Sequence, residues 1–382
     1  MIDQADMAGT GVASRDMGAP QLKAKFRTAA LYAPSPPTLT SSQEPWFPLD
    51  SPFILFYFSI SMTTGNMVFA MILLTDNTAF AQLCIPLAGD WQPCNVSALP
   101  PSEAVLAAEL LKSSSIMKTE VNTGGYWKYL YAVDCAKKSQ YDVLSRLAVS
   151  GGEVPDRTLC CARYGDQFHG FKNRSWQACP GNIHLSALVR PGFKIPGAAV
   201  GFIITAVIAA IRTIESLELQ NVAPTVKWVN DILLQGAKVG GVLARLQTQG
   251  SITESAVMGI GLNVEQRPQV ARDAHVPAVA ALSDFSASMG TCRHVDVFPR
   301  LIESLGRNLE NLYQGKFIEL LNVYRQYSMI LGRHVTICED NNEADLEVIA
   351  SGLVESIGPS LEIFLKGRSG PVSKGRLILR ES

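Results

Sequence analysis

The alternation of apolar and polar positions divides the chain from about residue 102 onward into predicted helices and strands. Apolar residues at helical spacing predict helices over 102–111, 197–217, 297–314 and 317–329, and a further helix begins at Ser139. Runs rich in β-branched and aromatic residues predict strands over 130–135, 180–189 and 255–264, and short strands after residue 332. In 180–189, polar and apolar residues alternate, which predicts one polar and one buried face.

The clearest local signal is a hairpin between residues 226 and 246. Two apolar runs, 232–234 and 239–243, flank the sequence Gln-Gly-Ala-Lys. The glycine in this sequence can adopt the positive φ that a tight reversal requires, so the segment is predicted to be a β-hairpin.

Polar residues at the ends of this hairpin suggest a binding site. The residues that folding would bring together are Lys227, Asn230, Asp231 and Lys238. Two ammonium groups, a carboxylate and an amide suit a triphosphate with Mg²⁺. Gly240 and Gly241 would let a ligand approach the second strand. An exposed hairpin with solvated lysines explains the same residues equally well.

The first 120 residues offer no recognisable chemistry. Residues 1–45, rich in Ala, Ser, Pro and Gly, are predicted to be a disordered arm. Basic residues in this arm are compatible with an organelle-targeting sequence, but its aspartates argue against one. Residues 51–75 carry no charge and are interpreted either as two buried strands or as a membrane span; polar interruptions and acidic flanks favour the strands.

Composition excludes some classes of protein. The 382 residues carry a net charge of -1, so no excess charge requires a nucleic acid or membrane partner, and neither is expected. The 8 cysteines lack the regular spacing of a disulfide scaffold, and Cys160, Cys161 and Cys179 lack zinc-finger spacing. Reduced thiols are the better interpretation, which predicts a cytoplasmic location with an organelle as the alternative.

The polar hairpin also carries a family resemblance. Lys227-Trp-Val-Asn-Asp followed by Lys238-Val-Gly-Gly-Val-Leu resembles the central signature of the biotin protein ligases, usually Lys-Trp-Pro-Asn-Asp and Lys-x-Gly-Gly-Ile/Val-Leu, with valine replacing the proline. Pro180-Gly-Asn-Ile-His-Leu-Ser, Gly259-Ile-Gly-Leu-Asn and the β-rich terminus follow the family's order. The resemblance covers roughly residues 131–380.

Residues 166–176 occupy the position of the family's Gly-x-Gly-Arg-x-x-Asn/Arg-x-Trp loop, which closes over the reaction intermediate. The residues of this loop that can be placed are Gly170, Lys172, Asn173, Arg174 and Trp176. The family's Gly-Arg pair is missing, which puts the loop's function in doubt. Lys172 or Arg174 would have to supply the charge, although lysine lacks the bidentate fork of arginine. A solvated basic loop is the alternative.

The resemblance assigns roles residue by residue. Catalytic roles fall to Lys238, Lys227, Asp231, Arg174 and Lys172. Roles in binding ATP and biotin fall to Asn230, Gly240, Gly241, Asn263, Trp176, Gly170, Ser139 and Gln140. Asp231 would also bind Mg²⁺. A helix N-cap explains Ser139 equally well.

The implied fold is α+β, with a mixed β-sheet like that of class II aminoacyl-tRNA synthetases and a small C-terminal SH3-like barrel. The predicted segments are a disordered arm (1–45), an accessory region of unknown fold (46–125), a catalytic domain (126–330) and the SH3-like domain (331–382).

The implied activity is ATP-dependent biotinylation. Biotin would be activated to biotinyl-AMP and transferred to a lysine of the biotin carboxyl carrier domains of carboxylases. One alternative keeps the fold but changes the acid to lipoate or octanoate. Another is a ligase-like protein that binds ligand without turnover, which the altered loop and the lost proline favour.

Overall fold

The described part of the protein runs from residue 70 to residue 379. The computed structural model describes these residues apart from 112, 218, 221, 271–277, 287–291 and 340–346. The predicted arm over 1–45 and most of the apolar stretch over 51–75 therefore lie outside the described residues.

Helices and strands follow the hydrophobic pattern closely. The strands are β1 (Ala70–Thr75), β2 (Gln92–Asn95), β3 (Ser115–Asn122), β4 (Tyr129–Ala136), β5 (Thr158–Gly165), β6 (Ile183–Val189), β7 (Pro224–Lys227), β8 (Asp231–Leu234), β9 (Ala237–Gln249), β10 (Ile252–Leu262), β11 (His334–Cys338), β12 (Val348–Ile357), β13 (Ile363–Leu365) and β14 (Arg376–Leu379). The helices are α1 (Thr78–Cys84), α2 (Pro101–Leu110), α3 (Gln140–Val149), α4 (Ala198–Glu215), α5 (His294–Tyr313) and α6 (Phe317–Tyr327). The predicted helices and central strands are confirmed to within a few residues.

Ten strands form one large mixed sheet in the order β2-β3-β1-β4-β5-β6-β10-β9-β8-β7. β4 pairs in parallel with β1 and with β5, while the remaining pairs are antiparallel. The described part of the 46–125 segment contributes β1, β2 and β3 to this sheet, with β1 lying between β3 and β4. These residues are therefore structurally continuous with the chain that follows them.

A second, smaller sheet contains the four C-terminal strands. Its order is β13-β12-β11-β14, and all of its pairs are antiparallel. The architecture is thus α+β, with a large mixed sheet and a small antiparallel one.

The long apolar helix α4 fills the core on one face of the large sheet. Its apolar residues are buried, and it packs against α5 and α6 as well as the sheet. By length and composition α4 is a candidate membrane span, but 67% of it is buried inside the protein. The prediction of a packed core helix is therefore confirmed.

The polar face predicted for 180–189 differs from the structure. Every residue of β6 is buried, including His184 and Ser186. The sheet is covered on both faces, and His184 and Ser186 line a cavity on one of them. A two-residue alternation identifies two faces of a strand but does not distinguish solvent from a cavity.

Candidate functional site

The predicted hairpin is present, and a tight turn closes it. β8 and β9 pair in antiparallel fashion, with Leu234 opposite Ala237. The two turn residues, Gln235 and Gly236, have φ values of 47° and 79°. Positive φ at both central positions matches the right-handed twist of the strands, as in two-residue hairpin turns.

A β-bulge in this hairpin directs a lysine toward a carboxylate. Pairing steps from Ile232 opposite Gly240 to Leu233 opposite Lys238, so β9 carries one extra residue at this point. Bulges of this kind turn a side chain to the other face of a strand. Lys238 therefore lies on the same face as Asp231, and the distance from Lys238 Nζ to Asp231 Oδ1 is 2.6 Å.

This ion pair lines a cavity of about 150 Å³ between the sheet and the loop over 166–176. The side chains of Lys238 and Asp231 are 24% and 23% exposed, so each is accessible from the cavity while packed by protein. Gly241 stands directly opposite Asp231. A Cβ atom at Gly241 would lie 3.6 Å from Asp231 Oδ1 and 3.7 Å from Lys238 Nζ, and the glycine leaves that space open.

Lys227 lies beside this pair without lining the cavity. It pairs with Asp231 across β7 and β8, and it is 8% exposed. Burial lowers the pKa of its ammonium group, and the charge of Asp231 partly opposes that shift. The peptide bond between Trp228 and Val229, where the family pattern has proline, is cis.

Two asparagines beside the cavity, Asn230 and Asn263, form hydrogen bonds to backbone carbonyls near the ends of the strands. Asn230 Nδ2 donates to the Val242 carbonyl at 2.6 Å, which ties the start of β8 to β9. Asn263 Nδ2 donates to the Ala280 carbonyl at 3.0 Å. Asn263 Oδ1 is buried and accepts no hydrogen bond from the described residues. Asn263 is among the residues that line the cavity, and this oxygen is a buried acceptor beside it.

Trp176 packs flat against a strand that has no side chain there. A Cβ atom at Gly261 would lie 2.6 Å from Trp176 Cζ2, so only glycine fits beneath the ring. The indole Nε1–H donates to His184 Nδ1 at 3.3 Å, and His184 Nε2–H donates to the Cys179 carbonyl at 3.0 Å. Burial lowers the pKa of His184 to about 4, consistent with a neutral ring that accepts at Nδ1.

A histidine fastens the loop over 166–176 to α3. His169 Nε2 lies 2.8 Å from Asp142 Oδ2, and His169 Nδ1 lies 3.0 Å from the Gly170 carbonyl. Burial opposes protonation of His169, but these two acceptors outweigh it and raise its pKa. Arg174 lines the cavity, whereas Lys172 is exposed and does not.

The structure brings most, but not all, of the predicted site residues together. The nine that line the cavity are Ser139, Gly170, Arg174, Trp176, Asn230, Asp231, Lys238, Gly241 and Asn263. The four that do not line it are Lys227, Lys172, Gly240 and Gln140.

Gly240 and Gln140 have structural environments of their own. A Cβ atom at Gly240 would lie 2.5 Å from Leu262 Cδ2, so this glycine accommodates packing within the sheet. Gln140 is fully buried, and its two amide atoms have no hydrogen-bond partner among the described residues. Ser139 is the N-cap residue of α3, as its alternative interpretation stated, but its side chain makes no capping hydrogen bond.

Sequence reasoning missed the residues that support the site. His184, His169 and Asp142 hold Trp176 and the loop, but they were not among the candidates. Polar residues, His184 and Ser186 among them, alternate with apolar residues along β6, and this pattern could have indicated His184 as a candidate. The contact between His169 and Asp142 spans 27 residues, and no local pattern indicates it.

Comparisons with known proteins identify relatives of this chain. Residues 146–263 match the family model of the Biotin/lipoate A/B protein ligase family. The chain is 29% identical over 153 residues to the Bifunctional ligase/repressor BirA of Bacillus subtilis, covering 40% of this chain and 44% of the relative. It is 30% identical over 162 residues to the Biotin--[acetyl-CoA-carboxylase] ligase of Mycobacterium tuberculosis, covering 42% and 58%. The chain spans about half the length of these curated relatives.

A solved structure shares the fold. The biotin protein ligase from Aquifex aeolicus, in complex with biotin and ATP, superimposes with a TM-score of 0.52 at 19% sequence identity. The match covers 67% of this chain and 100% of that protein. The α+β architecture described above is therefore that of the biotin ligase fold.

Proposed function

We propose that this protein is an ATP-dependent biotin protein ligase, because residues 146–263 match the family model of the Biotin/lipoate A/B protein ligase family. The observation that carries the proposal is the pair of Lys238 and Asp231 on the cavity side of the hairpin, beside the open space at Gly241. The relatives' printed names, a biotin--[acetyl-CoA-carboxylase] ligase among them, support biotin as the acid.

The first half-reaction needs no protein nucleophile. A carboxylate oxygen of biotin attacks the α-phosphorus of ATP, a carboxyl oxygen–phosphorus bond forms, and pyrophosphate leaves. Negative charge builds on the phosphate oxygens during this step. Lys238 is suited to neutralise that charge, since its ammonium group is held at the cavity wall by Asp231 before substrate arrives. Lys227, buried behind the pair, adds a second positive charge to the same region.

Mg²⁺ fits the donors of this site. Asp231 offers a single, partly exposed carboxylate at the cavity, and Mg²⁺ commonly combines one or two carboxylates with substrate phosphates and water. The ion would reduce the negative charge of the triphosphate. Asn230, adjacent to Asp231, fixes the strand from which the carboxylate projects.

The remaining walls suit an adenine and a biotin ring. Asn263 Oδ1, buried without a partner in the described chain, can accept from the exocyclic amine of adenine. Trp176 offers its ring for stacking, since its indole N–H is already bound to His184. Ser139 and Gly241 line the part of the cavity proposed for biotin. Gln140 lies next to Ser139, and its amide atoms have no hydrogen-bond partner within the described chain.

Arg174 is the better candidate for the charge that the missing Gly-Arg pair would have supplied. It lines the cavity, and its Nε–H donates to the Phe171 carbonyl at 3.0 Å, which orients the guanidinium group. Gly170 lies opposite Arg174 in the same loop, with its N–H donating to the Arg174 carbonyl at 2.7 Å. Lys172 is exposed, and its role is the weaker proposal.

In the second half-reaction, the amine of an acceptor lysine attacks the acyl carbon, an amide forms, and AMP leaves. We propose a biotin carboxyl carrier domain of a carboxylase as the acceptor, in the cytoplasm. The catalytic unit is proposed to comprise residues 126–330, with β1 to β3 completing its class II synthetase-like sheet. The small C-terminal sheet is proposed to be part of an SH3-like barrel within residues 331–382.

ATP-pyrophosphate exchange tests the first half-reaction without the acceptor. The purified protein is assayed with biotin, lipoate, octanoate and no acid. Exchange with biotin alone is the expected result. Exchange with lipoate or octanoate would reassign the protein to the sister activity. Absence of exchange, while biotin or ATP still raises the melting temperature, would show a binding protein without catalysis.

A further inference from the structure

Three side chains of types that commonly bind metal ions lie close together in the core, and none of them lines the cavity. Cys84 ends α1, Cys161 lies on β5, and His294 begins α5. Cys161 belongs to the apolar cluster that α4 and α5 cover. Its neighbour Cys160 points to the other face of the sheet and packs in the second cluster, with Leu144 of α3. The exposed fractions of Cys84, Cys161 and His294 are 0%, 0% and 1%.

The donor atoms are spaced as ligands of one ion. The sulfur and nitrogen donors of the three residues all lie within 4.8 Å of one another. Cys84 Sγ is 3.5 Å from His294 Nε2. Zn²⁺ binds sulfur at about 2.3 Å and nitrogen at about 2.1 Å, so tetrahedral ligands stand roughly 3.5 to 4 Å apart. The observed separations of the three donors are therefore close to those of ligands around one ion.

The histidine is oriented as metal-binding histidines are. His294 Nδ1–H donates to the Asn182 carbonyl at 3.3 Å, which directs Nε2 toward the thiols. The ring is held between two phenylalanines. It stacks on Phe298 with centroids 5.4 Å apart and meets the edge of Phe80 at 5.5 Å.

The surroundings of the two thiols are apolar. Cys84 and Cys161 both belong to the buried cluster that α4 and α5 cover. Two thiolates without a cation would be costly in this apolar core, because a buried charge requires a partner.

We propose that Cys84, Cys161 and His294 form a buried site for a thiophilic divalent cation, with Zn²⁺ as the best match. The charge of a divalent ion balances two thiolates and a neutral imidazole, whereas a monovalent thiophilic ion would leave a net negative charge in the core. Binding releases the thiol protons to solvent. The site stands on these residues alone and holds whether or not the proposed ligase activity is correct.

The ion would join three elements and brace one end of the cavity strand β10. The His294 backbone N–H donates to Glu265 Oε1 at 2.7 Å. Asn182, whose carbonyl binds His294, accepts through Oδ1 from the backbone N–H groups of Val264, Glu265 and Gln266. These residues directly follow Asn263. The ion therefore has a structural role behind the cavity wall, and no step of the chemistry requires it.

Metal content and Co²⁺ spectroscopy test the site. The full chain is expressed in medium with and without added Zn²⁺, and the bound metal is measured after gel filtration. About one Zn²⁺ per chain is expected in the wild type, with a higher melting temperature for the loaded form. Replacement by Co²⁺ should give a sulfur-to-metal charge-transfer band and the d–d bands of a low-coordinate site. The Co²⁺ spectrum requires no variant and so does not depend on a variant's folding.

Cysteine variants locate the metal. Cys161→Ser and His294→Gln should each lose the ion and the melting-temperature shift. Cys160→Ser, an adjacent and equally buried cysteine on the opposite face, should retain both. Wild-type protein without Zn²⁺ and without the Co²⁺ charge-transfer band would overturn the proposal and identify the cluster as hydrogen-bonded core thiols. Equal metal in Cys161→Ser would overturn it as well, since the ion would lie elsewhere.

Discussion

At the scale of single residues, Lys238 is the sharpest test of the proposed chemistry. Removing its ammonium group leaves the charge on the α-phosphate uncompensated, so Lys238→Ala should reduce adenylate formation by about 100-fold or more. The free energy of unfolding should change by about 1 kcal/mol or less, because the pair is only partly buried. ATP-pyrophosphate exchange and urea unfolding measure the two effects.

Lys366→Ala is the matched control for this experiment. Lys366 is an exposed lysine directly after β13, so Lys366→Ala removes the same charge far along the chain from the proposed site. It should leave exchange unchanged. Exchange at the wild-type rate in Lys238→Ala would show that the pair with Asp231 has only a structural role.

His184 makes a second residue-scale prediction, which concerns pH. Its folded pKa of about 4 lies below the ordinary value of about 6.5, so the unfolded state binds more protons between these pH values. Its contribution to stability is therefore complete above about pH 6.5 and is lost as the pH falls toward 4. The loss is on the order of 3 kcal/mol at most, from about 1.4 kcal/mol per pKa unit.

Urea unfolding between pH 4 and pH 7 measures this contribution. His184→Gln keeps a donor for Cys179 and an acceptor for Trp176 but does not titrate. Its stability should therefore fall less steeply with decreasing pH than that of the wild type. His334→Gln, at an exposed position on β11, serves as the control and should retain the wild-type slope. If the free energy of unfolding changed with pH equally in His184→Gln and the wild type, His184 would not be the source of the pH dependence.

At the scale of elements, the contact between His169 and Asp142 joins the loop over 166–176 to α3. Asp142→Asn removes the negative charge that favours protonated His169, and the loop should open more often. Because the raised pKa of His169 makes this contact strongest at low pH, the difference from wild type should grow as the pH falls below the folded pKa. Hydrogen exchange of the loop amides measures opening, and the KM for ATP should rise several-fold.

Asp296→Asn provides a control for the loop variant. Asp296 pairs with Arg293 at the surface of α5 at 3.0 Å, and its removal should leave the loop amides unchanged. Equal exchange rates in Asp142→Asn and wild type would mean that Trp176, through His184, holds the loop without help from α3.

Local pattern was enough to predict the helices α2 to α6, the strands β4, β6 and β10, and the hairpin. The helix α1 and the central strand β5 were not predicted. The conformation of the turn at Gln235 and Gly236 is determined by residues that are adjacent in the chain, so a short stretch of sequence is enough to predict it. The bulge that turns Lys238 toward Asp231 could not be predicted from the sequence, although the two residues were expected to lie near each other. The cluster of Cys84, Cys161 and His294 joins residues up to 210 positions apart, which no motif spacing describes.

At the scale of the whole molecule, the two sheets share one hydrophobic core. Apolar residues of β11 and β13, such as Val335 and Ile363, belong to the same buried cluster as α4 and α6. Polar contacts cross the same boundary: Trp228 Nε1 donates to the Leu361 carbonyl at 2.6 Å, and Arg325 Nε donates to the Ile357 carbonyl at 2.8 Å. The residues preceding the hairpin of β8 and β9 are thus supported by the C-terminal sheet.

This shared core predicts that the small sheet unfolds together with the large one. Trp127 provides a remote test, because it is 2% exposed and its Nε1 donates to the Ile302 carbonyl at 2.8 Å, within the main body. Trp127→Phe should lower the free energy of unfolding by about 1 to 3 kcal/mol, because the indole hydrogen bond and part of the packing are lost. If the described chain from β1 to β14 opens as one unit, hydrogen exchange should show the same loss of protection for amides of β11 and β12 as for those of β9 and β10. Unchanged protection in β11 and β12 would show instead that the small sheet opens independently, and its contacts with Trp228 would then be too weak to couple the two sheets.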